Sequence, residues 1–332
     1  MASPPYEIDE NTYERFDQRR TVFARKDLDS GASYYGKGMY DKIEEVIGGK
    51  RRGYSKTDFA RALAGWTVYD YFHGAFSWEK LDEANNVMEK PAFEDVEALK
   101  DKRRATREVK RTARLYGASL VGITGVDSKW VYSRGREGEE IELPDGYDYC
   151  IVMALKMDYE AIQESPNFLA AAASSTGYSS MAYTVSCTAE FLRTLGYGAI
   201  PMGNDTALSI PLAIDAGLGE LGRSGLLITR EYGSCVRLCK IFTDLPLLED
   251  EPADLGIDDF CRGCRKCVEA CEAGAIDETR EPSYSRASPS NNKGILRWPV
   301  NHDLCYSFWI ENGGDCSNCI AACPFTKGVV FD

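Results

Sequence analysis

Eight of the 12 cysteines lie between residue 261 and the C-terminus, at spacings suited to iron–sulfur chemistry. The first four follow the pattern C-x2-C-x2-C-x3-C, and the last four repeat it with one cysteine displaced upstream. Two-residue gaps let successive thiolates reach different irons of one cubane, and in two-cluster ferredoxin modules the fourth cysteine of each run binds the other cluster. We therefore predict two [4Fe–4S] clusters. Cluster one is assigned to Cys261, Cys264, Cys267 and Cys323, and cluster two to Cys305, Cys316, Cys319 and Cys271.

Zinc is the competing metal, because four cysteines can also hold it. Zinc ribbons, however, pair C-x2-C units without the x3-C-P ending that the chain has at Cys323. The chain departs from the ferredoxin pattern at Glu272, which follows Cys271 in place of proline. The remaining cysteines stand in apolar surroundings and are predicted to be buried thiols: Cys150, Cys187, Cys235 and Cys239.

Composition limits the other possibilities. A length of 332 residues suggests about two domains, and 44% hydrophobic with 27% charged residues is typical of a globular chain. A net charge of −13 argues against general nucleic-acid binding, and no apolar run is long enough to span a membrane. Arg19-Arg20 is a twin arginine without an apolar stretch behind it. We therefore expect a soluble protein, either cytoplasmic or the mature form of an exported, membrane-associated enzyme.

The elements that must position this chemistry follow from hydrophobic periodicity. A mixed α/β pattern begins near residue 106, with helices predicted over 106–117, 177–195 and 207–216. Apolar runs predict strands over 119–123, 150–155, 199–202 and 235–245. The acidic segment 248–252 is the best linker candidate. We expect an N-terminal helical or cap region over 1–105, a catalytic domain over 106–250 and a ferredoxin-like domain over 251–332.

The N-terminal region contributes two further features. A run of lysines and arginines between residues 100 and 114, interleaved with acids, is predicted to coat a solvated helix face. An aromatic group is either a core cluster or one wall of an apolar substrate pocket: Trp66, Tyr69, Tyr71, Phe72, Phe76 and Trp78.

The segment from Gly217 to Gly222 satisfies G-x-G-x-x-G, the dinucleotide-binding fingerprint. That fingerprint needs a strand before it and a helix opening after it. Residues 210–216 are predicted to be helical, so we reject a nicotinamide cofactor. The glycines are better explained by close approach of the backbone to a large flat macrocycle.

Two stretches resemble reductive dehalogenases. The first is Cys305-Tyr-Ser-Phe-Trp with its continuation through Lys327, and the second runs from Ala216 through Gly225 to Pro246. The resemblance covers roughly 105–328 and is strongest from about residue 200 onward. It implies an α+β fold, in which a nitroreductase-like corrinoid-binding core is followed by a C-terminal two-cluster ferredoxin-like module. The implied reaction is reductive removal of halide from an organohalide at a Co(I) corrinoid.

The family's catalytic tyrosine, asparagine and arginine correspond by their spacing to Tyr178, Asn204 and Arg237. A carbon centre that loses halide needs a proton, which a phenol can supply. A guanidinium beside it stabilises the phenolate left behind, and an amide donates a hydrogen bond without adding titratable charge. The ordinary alternatives are helix packing for Tyr178 and its neighbour Tyr183, and an ion pair for Arg237.

The resemblance also implies the cofactor and the partners. The motif D-x-H-x-x-G is absent, so we expect a base-off corrinoid without a histidine ligand. Its contacts are predicted at Gly203, Gly219, Gly222, Arg223, Ser224, Gly225 and Thr243. The expected partners are a small organohalide and a reduced donor, which is either ferredoxin- or flavodoxin-like or a membrane quinol route. No nucleic-acid partner is expected.

Two alternatives stay open at this point. Epoxyqueuosine reductase is another corrinoid enzyme with two clusters and a similarly displaced cysteine, but it acts on tRNA and should carry a basic surface. A corrinoid or iron–sulfur electron carrier without its own turnover is the second alternative. Substituting Tyr178 by Phe separates a carrier from a dehalogenase.

Overall fold

The computed structural model describes residues 6–72 and 99–327, and of Tyr71 and Phe72 the backbone only. Phe76 and Trp78 therefore lie outside the described residues. The central feature is a four-stranded antiparallel sheet in the order β1-β2-β6-β3. Its strands are β1 Leu120–Gly125, β2 Tyr149–Lys156, β3 Ala199–Met202 and β6 Val236–Thr243. The predicted strands are confirmed, with ends displaced by one to a few residues.

Both faces of the sheet are covered, which explains the continuous apolar runs in its central strands. Because side chains alternate along a strand, Ile151 and Met153 pack on one face with the helices α5, Lys102–Leu115, and α7, Phe168–Thr194. Cys150 and Val152 pack on the other face with α8, Ser209–Asp215. The predicted solvated basic face is confirmed, since α5 buries Ala105, Val109 and Ala113 and exposes its arginines.

The long helix α7 corrects one expectation. It begins at Phe168, nine residues before the predicted start at residue 177, with the Asn167 side chain accepting from the Leu169 amide at its N-terminus. The structure places Gly177 inside the helix and buried, so Tyr178 projects from the middle of a rigid element.

The N-terminal region contains α1 Val22–Leu28, α2 Ile43–Gly48, α3 Lys56–Gly65 and α4 Thr67–Phe72. It contacts both other regions of the chain. Tyr6 donates to Asp215 at 2.5 Å, and Arg25 donates to Asp303 at 2.6 Å. Helices α3 and α4 pack along α7. These contacts bring the N-terminal region beside the predicted catalytic helix.

Two small features precede the C-terminal region: the helix α6 Tyr159–Gln163, before α7, and the hairpin of β4 Glu220–Leu221 and β5 Leu227–Ile228, after α8. The C-terminal region itself contains helices separated by loops: α9 Ile257–Gly263, α10 Lys266–Glu269, α11 His302–Asn312 and α12 Asn318–Ala321. The predicted linker over 248–252 is attached to the core, because Asp250 accepts from Lys110 at 2.6 Å and from the Ile123 amide at 2.8 Å. None of the helices in the described part of the chain is long and apolar enough to cross a membrane.

Candidate functional site

Three different elements bring the predicted catalytic residues together. Tyr178 lies on α7, Asn204 on the loop after β3, and Arg237 on β6. The Asn204 Nδ2 atom donates to the Tyr178 hydroxyl at 2.9 Å, and the guanidinium carbon of Arg237 lies 4.6 Å from the centroid of the Tyr178 ring. The phenol is thus placed between an amide donor and a permanent positive charge.

The Arg237 guanidinium is bound by Ser174 of α7. Its Nη2 atom donates to the Ser174 hydroxyl at 2.9 Å, whereas its buried Nε has no hydrogen-bond partner in the described residues. Burial raises the pKa of the nearby Asp315 carboxyl, and its hydrogen bond with Ser174 and the charge of Arg237 oppose that increase. An unpartnered buried donor is unusual in a folded protein.

Gly177 makes room for Arg237 against α7. A Cβ atom at position 177 would lie 2.8 Å from the Arg237 Cγ and 3.3 Å from the Met157 Cγ. We expect Gly177→Ala to displace the arginine and reduce turnover about tenfold, because small errors in the placement of a reacting group are costly. Steady-state kinetics on the loaded protein would measure this. Thr176→Ala, one residue away and exposed, is the matched control, and equal effects of both changes would contradict the steric argument.

Two rings from the N-terminal region form a wall beside Tyr178. Trp66 stacks on the Tyr178 ring with centroids 4.9 Å apart, and Tyr69 meets its edge at 5.4 Å. Ser179 fixes this arrangement, because its hydroxyl accepts from the Tyr69 amide at 3.1 Å and donates to the Gly65 carbonyl. Trp66 and Tyr69 therefore pack beside the predicted site, and Tyr69 also packs against the hydrophobic core.

Sequence reasoning missed Lys240. This lysine is fully buried on β6, and its Nζ donates to the carbonyls of Gly203 at 2.6 Å and Asp205 at 3.2 Å and to the Ser209 hydroxyl at 3.1 Å. Burial lowers the pKa of Lys240, and the charge of Asp205 opposes the decrease. The sequence signal was a second charged residue, after Arg237, in a strand whose other residues are mostly apolar.

The loop that carries Asn204 is strained. Thr206 is fully buried with φ of +67°, a left-handed conformation that costs a β-branched residue energy and persists only where the surroundings enforce it. The Tyr132 hydroxyl donates to the Asn204 carbonyl at 3.0 Å, and the Asp205 carboxylate accepts from the Gly203 amide at 2.9 Å. Together with Lys240, these bonds fix the position from which the Asn204 amide reaches Tyr178.

A cleft opens beside this loop, between the core and the C-terminal region. It encloses about 870 Å³, counting the part open to solvent. Its lining is mostly apolar and aromatic: Tyr6, Trp130, Tyr132, Asn204, Leu208, Ser209, Ile210, Pro211, Ile214, Leu221, Gly225, Asn292, Ile295 and Arg297. The buried Nδ2 of Asn292 and Nε of Arg297 have no partners in the described residues. The cleft is thus broad and mostly apolar, and two of the residues that line it carry buried donors without partners in the described residues.

The predicted corrinoid contacts do not all lie at the cleft. Gly225 lines the cleft, and Gly203 lies on its neighbouring loop, where its carbonyl is bound by Lys240. The buried Thr243 hydroxyl instead donates to the Gly198 carbonyl at 2.7 Å. Arg223 and Ser224 line a separate cavity among the cysteines of cluster one.

Gly219 and Gly222 serve the β4–β5 hairpin. A Cβ atom at either position would collide with Ile228. At position 219 it would lie 2.2 Å from the Ile228 carbonyl oxygen, and at position 222 it would lie 2.5 Å from the Ile228 Cδ1. The G-x-G-x-x-G segment thus follows α8 and contains strand β4 of the hairpin, so it is not placed between a strand and a helix. This context agrees with the rejection of a dinucleotide site on the sequence.

The cluster cysteines fall into the two predicted sets. A cavity in the C-terminal region is lined by Cys261, Cys264, Cys267 and Cys323. Burial and, after it, the nearby thiols raise the pKa of Cys267 and of Cys305 to about 12. The thiols are those of cluster one around Cys267, and Cys316 and Cys271 around Cys305. A single zinc ion needs ligands within about 2.3 Å. Within the described ranges, no group of three or more His, Cys, Asp or Glu side chains is placed to hold a metal ion.

The two sets approach each other around a small apolar cluster. Cys267 of one set and Cys319 of the other both pack against Ala275, Ile276 and Val300. The pKa of the buried Cys319 is raised well above its usual value by burial, then by Cys305 and Cys316 of its own set, and also by Cys267 of the other. Of the remaining thiols, Cys150, Cys235 and Cys239 are buried as predicted, while Cys187 is partly exposed.

Removing one ligand tests the assignment. We expect Cys264→Ala to lower the iron content from about eight to about four atoms per chain, because cluster one loses a bond that no neighbouring thiol can replace. Iron and sulfide analysis of anaerobically purified protein measures it. Cys239→Ala removes a fully buried thiol of β6 and is the control. Eight irons in the Cys264→Ala protein would refute the assignment.

Comparison with known proteins agrees with this geometry. The family model described as reductive dehalogenase subunit matches residues 127–247, and the 4Fe-4S dicluster domain matches residues 260–327. A catabolic reductive dehalogenase solved with 3-bromo-4-hydroxybenzoic acid has a similar fold, with a TM-score of 0.78 at 21% identity over 99% of this chain and 44% of that one. The C-terminal module thus belongs to a domain type that binds two [4Fe–4S] clusters.

Two curated relatives carry the assignment further. The tetrachloroethene reductive dehalogenase of Desulfitobacterium hafniense is 36% identical over 296 residues, or 76% of this chain and 53% of the relative. This chain thus spans about half the length of that relative. The tetrachloroethene reductive dehalogenase of Sulfurospirillum multivorans is 30% identical over 96% of this chain and 74% of the relative. The chain belongs to the reductive dehalogenase family.

Proposed function

We propose that this protein removes halide reductively from a small organohalide, with Tyr178 as the proton donor. The observation that carries the proposal is the contact of the Tyr178 hydroxyl with the Asn204 amide at 2.9 Å, beside a cleft that Asn204 also lines. A phenol, an amide and a guanidinium converge where one substrate molecule could meet them. The family assignment supports a redox reaction at this place.

The cofactor proposed for the cleft is a base-off corrinoid, which when bound supplies Co(I), a reductant strong enough for carbon–halogen bonds. Asn292 and Arg297 are its proposed polar contacts, and Gly225 and the apolar lining its flat ones. No histidine is among the described residues that line the cleft.

The side chains around the substrate have separate tasks in this proposal. Tyr178 delivers the proton from its hydroxyl oxygen to the carbon that loses halide. Arg237 stabilises the phenolate that remains, because its charge cannot be lost at neutral pH. Asn204 orients the hydroxyl and offers its amide to substrate or halide, while Trp66 and Tyr69 keep water from the ring face.

The cysteines of the two sets supply the electron route. Electrons from a reduced donor, ferredoxin- or flavodoxin-like or a quinol route, are proposed to enter through one cluster and pass to the other. Cys267 and Cys319, one from each set, pack against the same small apolar cluster of Ala275, Ile276 and Val300, which supports transfer between the clusters at this place.

The test is anaerobic reconstitution with a base-off corrinoid, followed by metal analysis, a visible spectrum and a halide-release assay. We expect about eight irons and one cobalt per chain, and chloride release from tetrachloroethene with reduced methyl viologen as donor. Tetrachloroethene is the first substrate to try because it is named for the relatives above. Protein that holds its clusters but takes up no corrinoid would overturn the proposal.

The alternative functions predict other results. An epoxyqueuosine reductase of Lactococcus garvieae matches at 28% identity over 37% of this chain. That function predicts turnover of a modified tRNA and no halide release. An electron carrier predicts reducible cofactors with no turnover of either substrate.

A further inference from the structure

Arg223 directly follows the G-x-G-x-x-G motif, and its side chain is turned inward, away from the proposed corrinoid cleft. Its side chain is 1% exposed and lines the cavity formed by the cysteines of cluster one. The hairpin that carries it is closed by Gly219 and Gly222 packing directly on Ile228. The hairpin therefore places the Arg223 guanidinium at the predicted site of cluster one.

Five hydrogen bonds fix this guanidinium to the backbone around cluster one. Two go to the Cys261 carbonyl at 2.6 and 3.1 Å, and one goes to the Cys264 carbonyl at 3.1 Å. The others reach the carbonyls of Asp277 at 3.2 Å and Thr279 at 2.6 Å. Its acceptors here are backbone carbonyls, so none of these bonds neutralises its charge.

Trp298 closes the site from the other side. The Arg223 guanidinium carbon lies 4.5 Å from the Trp298 ring centroid, a cation–π geometry. Trp298 Nε1 donates to the Thr279 carbonyl at 3.1 Å, the same carbonyl that Arg223 binds. The positive charge is held in one position and shielded from water.

Glu220 of the same motif holds the other end of the cluster-one segment. Its buried carboxylate accepts from the Leu255 amide and from the Ile257 amide, the latter at 3.1 Å, where α9 with Cys261 begins. Burial raises the pKa of Glu220, and these hydrogen bonds oppose the increase. The β4–β5 hairpin thus binds the cluster-one segment at two places. Glu220 binds the backbone before Cys261, and Arg223 binds the carbonyls of Cys261 and Cys264.

We propose that Arg223 positions the cysteine loop of cluster one and sets the reduction potential of that cluster. Reduction adds one electron to the cluster and moves no proton, so the reduced form is more negative by one charge. A fixed positive charge in a dry site stabilises that form and raises the potential. Arg223 itself is a positioning residue, since it touches the cluster ligands through their carbonyls.

This role links cluster one to the cleft. Arg223 and Ser224 line the cluster-one cavity, and Gly225, the next residue, lines the cleft. The loop therefore forms a short covalent connection between the two cofactor sites. The inference depends on the clusters and not on the identity of the substrate, so it stands or falls separately from dehalogenation.

The test is a redox titration followed by electron paramagnetic resonance on anaerobically purified protein with its full iron content. We expect Arg223→Met to shift the one-electron equilibrium of cluster one at least tenfold toward the oxidised form, which corresponds to about 59 mV. Arg223→Lys keeps the charge and should stay within about threefold of the wild type. Arg265→Met is the matched control, because Arg265 follows Cys264, is half exposed and is paired with Glu278.

A wild-type midpoint in fully loaded Arg223→Met would overturn the proposal, as would an equal shift in Arg265→Met. If Arg223→Met loses cluster one, the Lys variant decides. Full iron content with a near-wild-type midpoint in Arg223→Lys supports the proposal. A tenfold shift in that variant, despite its retained charge, contradicts it.

Discussion

Tyr178→Phe is expected to lower the rate of halide release by about 10²- to 10⁴-fold, the usual contribution of a positioned general acid. The substitution removes one oxygen and leaves the ring, so stacking with Trp66 and the contact with Arg237 persist. Asn204 loses an acceptor at the rim of the site, where water can replace it. Iron content, corrinoid content and the visible spectrum should therefore stay unchanged while product formation falls.

Tyr183→Phe is the matched control for this experiment. Tyr183 lies on the same helix, is about half exposed, and is the residue that a simple packing interpretation would treat as equivalent. We expect its loss to leave halide release within about twofold of the wild type, since surface substitutions rarely matter. A Tyr178→Phe protein as active as this control would show that the proton comes from elsewhere.

The cluster module could be predicted from sequence because the spacing of its cysteines follows from the shape of the cluster that they bind. Two-residue gaps leave little freedom for the backbone around a cubane, so the two sets of cysteines and their exchange of fourth members could be predicted before any fold was known. The three catalytic candidates came instead from a resemblance. Periodicity alone could not have joined Tyr178, Asn204 and Arg237, because they lie on three elements that meet only after the sheet forms.

The errors have a common physical cause. The predicted helix began at residue 177, whereas in the fold Gly177 lies inside a longer helix, where a side chain would collide with Arg237. The glycine-rich segment after α8 was interpreted as a surface that contacts the corrinoid. In the structure its residues form a hairpin, and Arg223 and Glu220 bind the Cys261 carbonyl and the Ile257 amide at the start of α9. In each case tertiary contacts determined the role, and a single sequence does not contain them.

Lys240→Met is the second change with a large expected effect, and it acts through position. Without the ammonium group, the carbonyls of Gly203 and Asp205 lose their buried donor and the Asp205 carboxylate loses its nearest positive charge. Breaking such a buried arrangement typically costs about 3–5 kcal/mol in the free energy of unfolding. Denaturant unfolding should show that loss, and turnover should fall about 10²-fold because Asn204 is no longer held against Tyr178.

Stability and positioning can be separated by a second substitution. Lys240→Met combined with Asp205→Asn removes the uncompensated carboxylate, so we expect it to regain about half of the lost free energy of unfolding. Turnover should stay low, because the strained loop at Thr206 still lacks the three bonds that Lys240 made. Lys156→Met, an exposed lysine on the neighbouring strand β2, controls for charge loss. Turnover that recovers in step with stability would mean that Lys240 only stabilises the fold, whereas low turnover in a restabilised protein identifies it as the residue that positions Asn204.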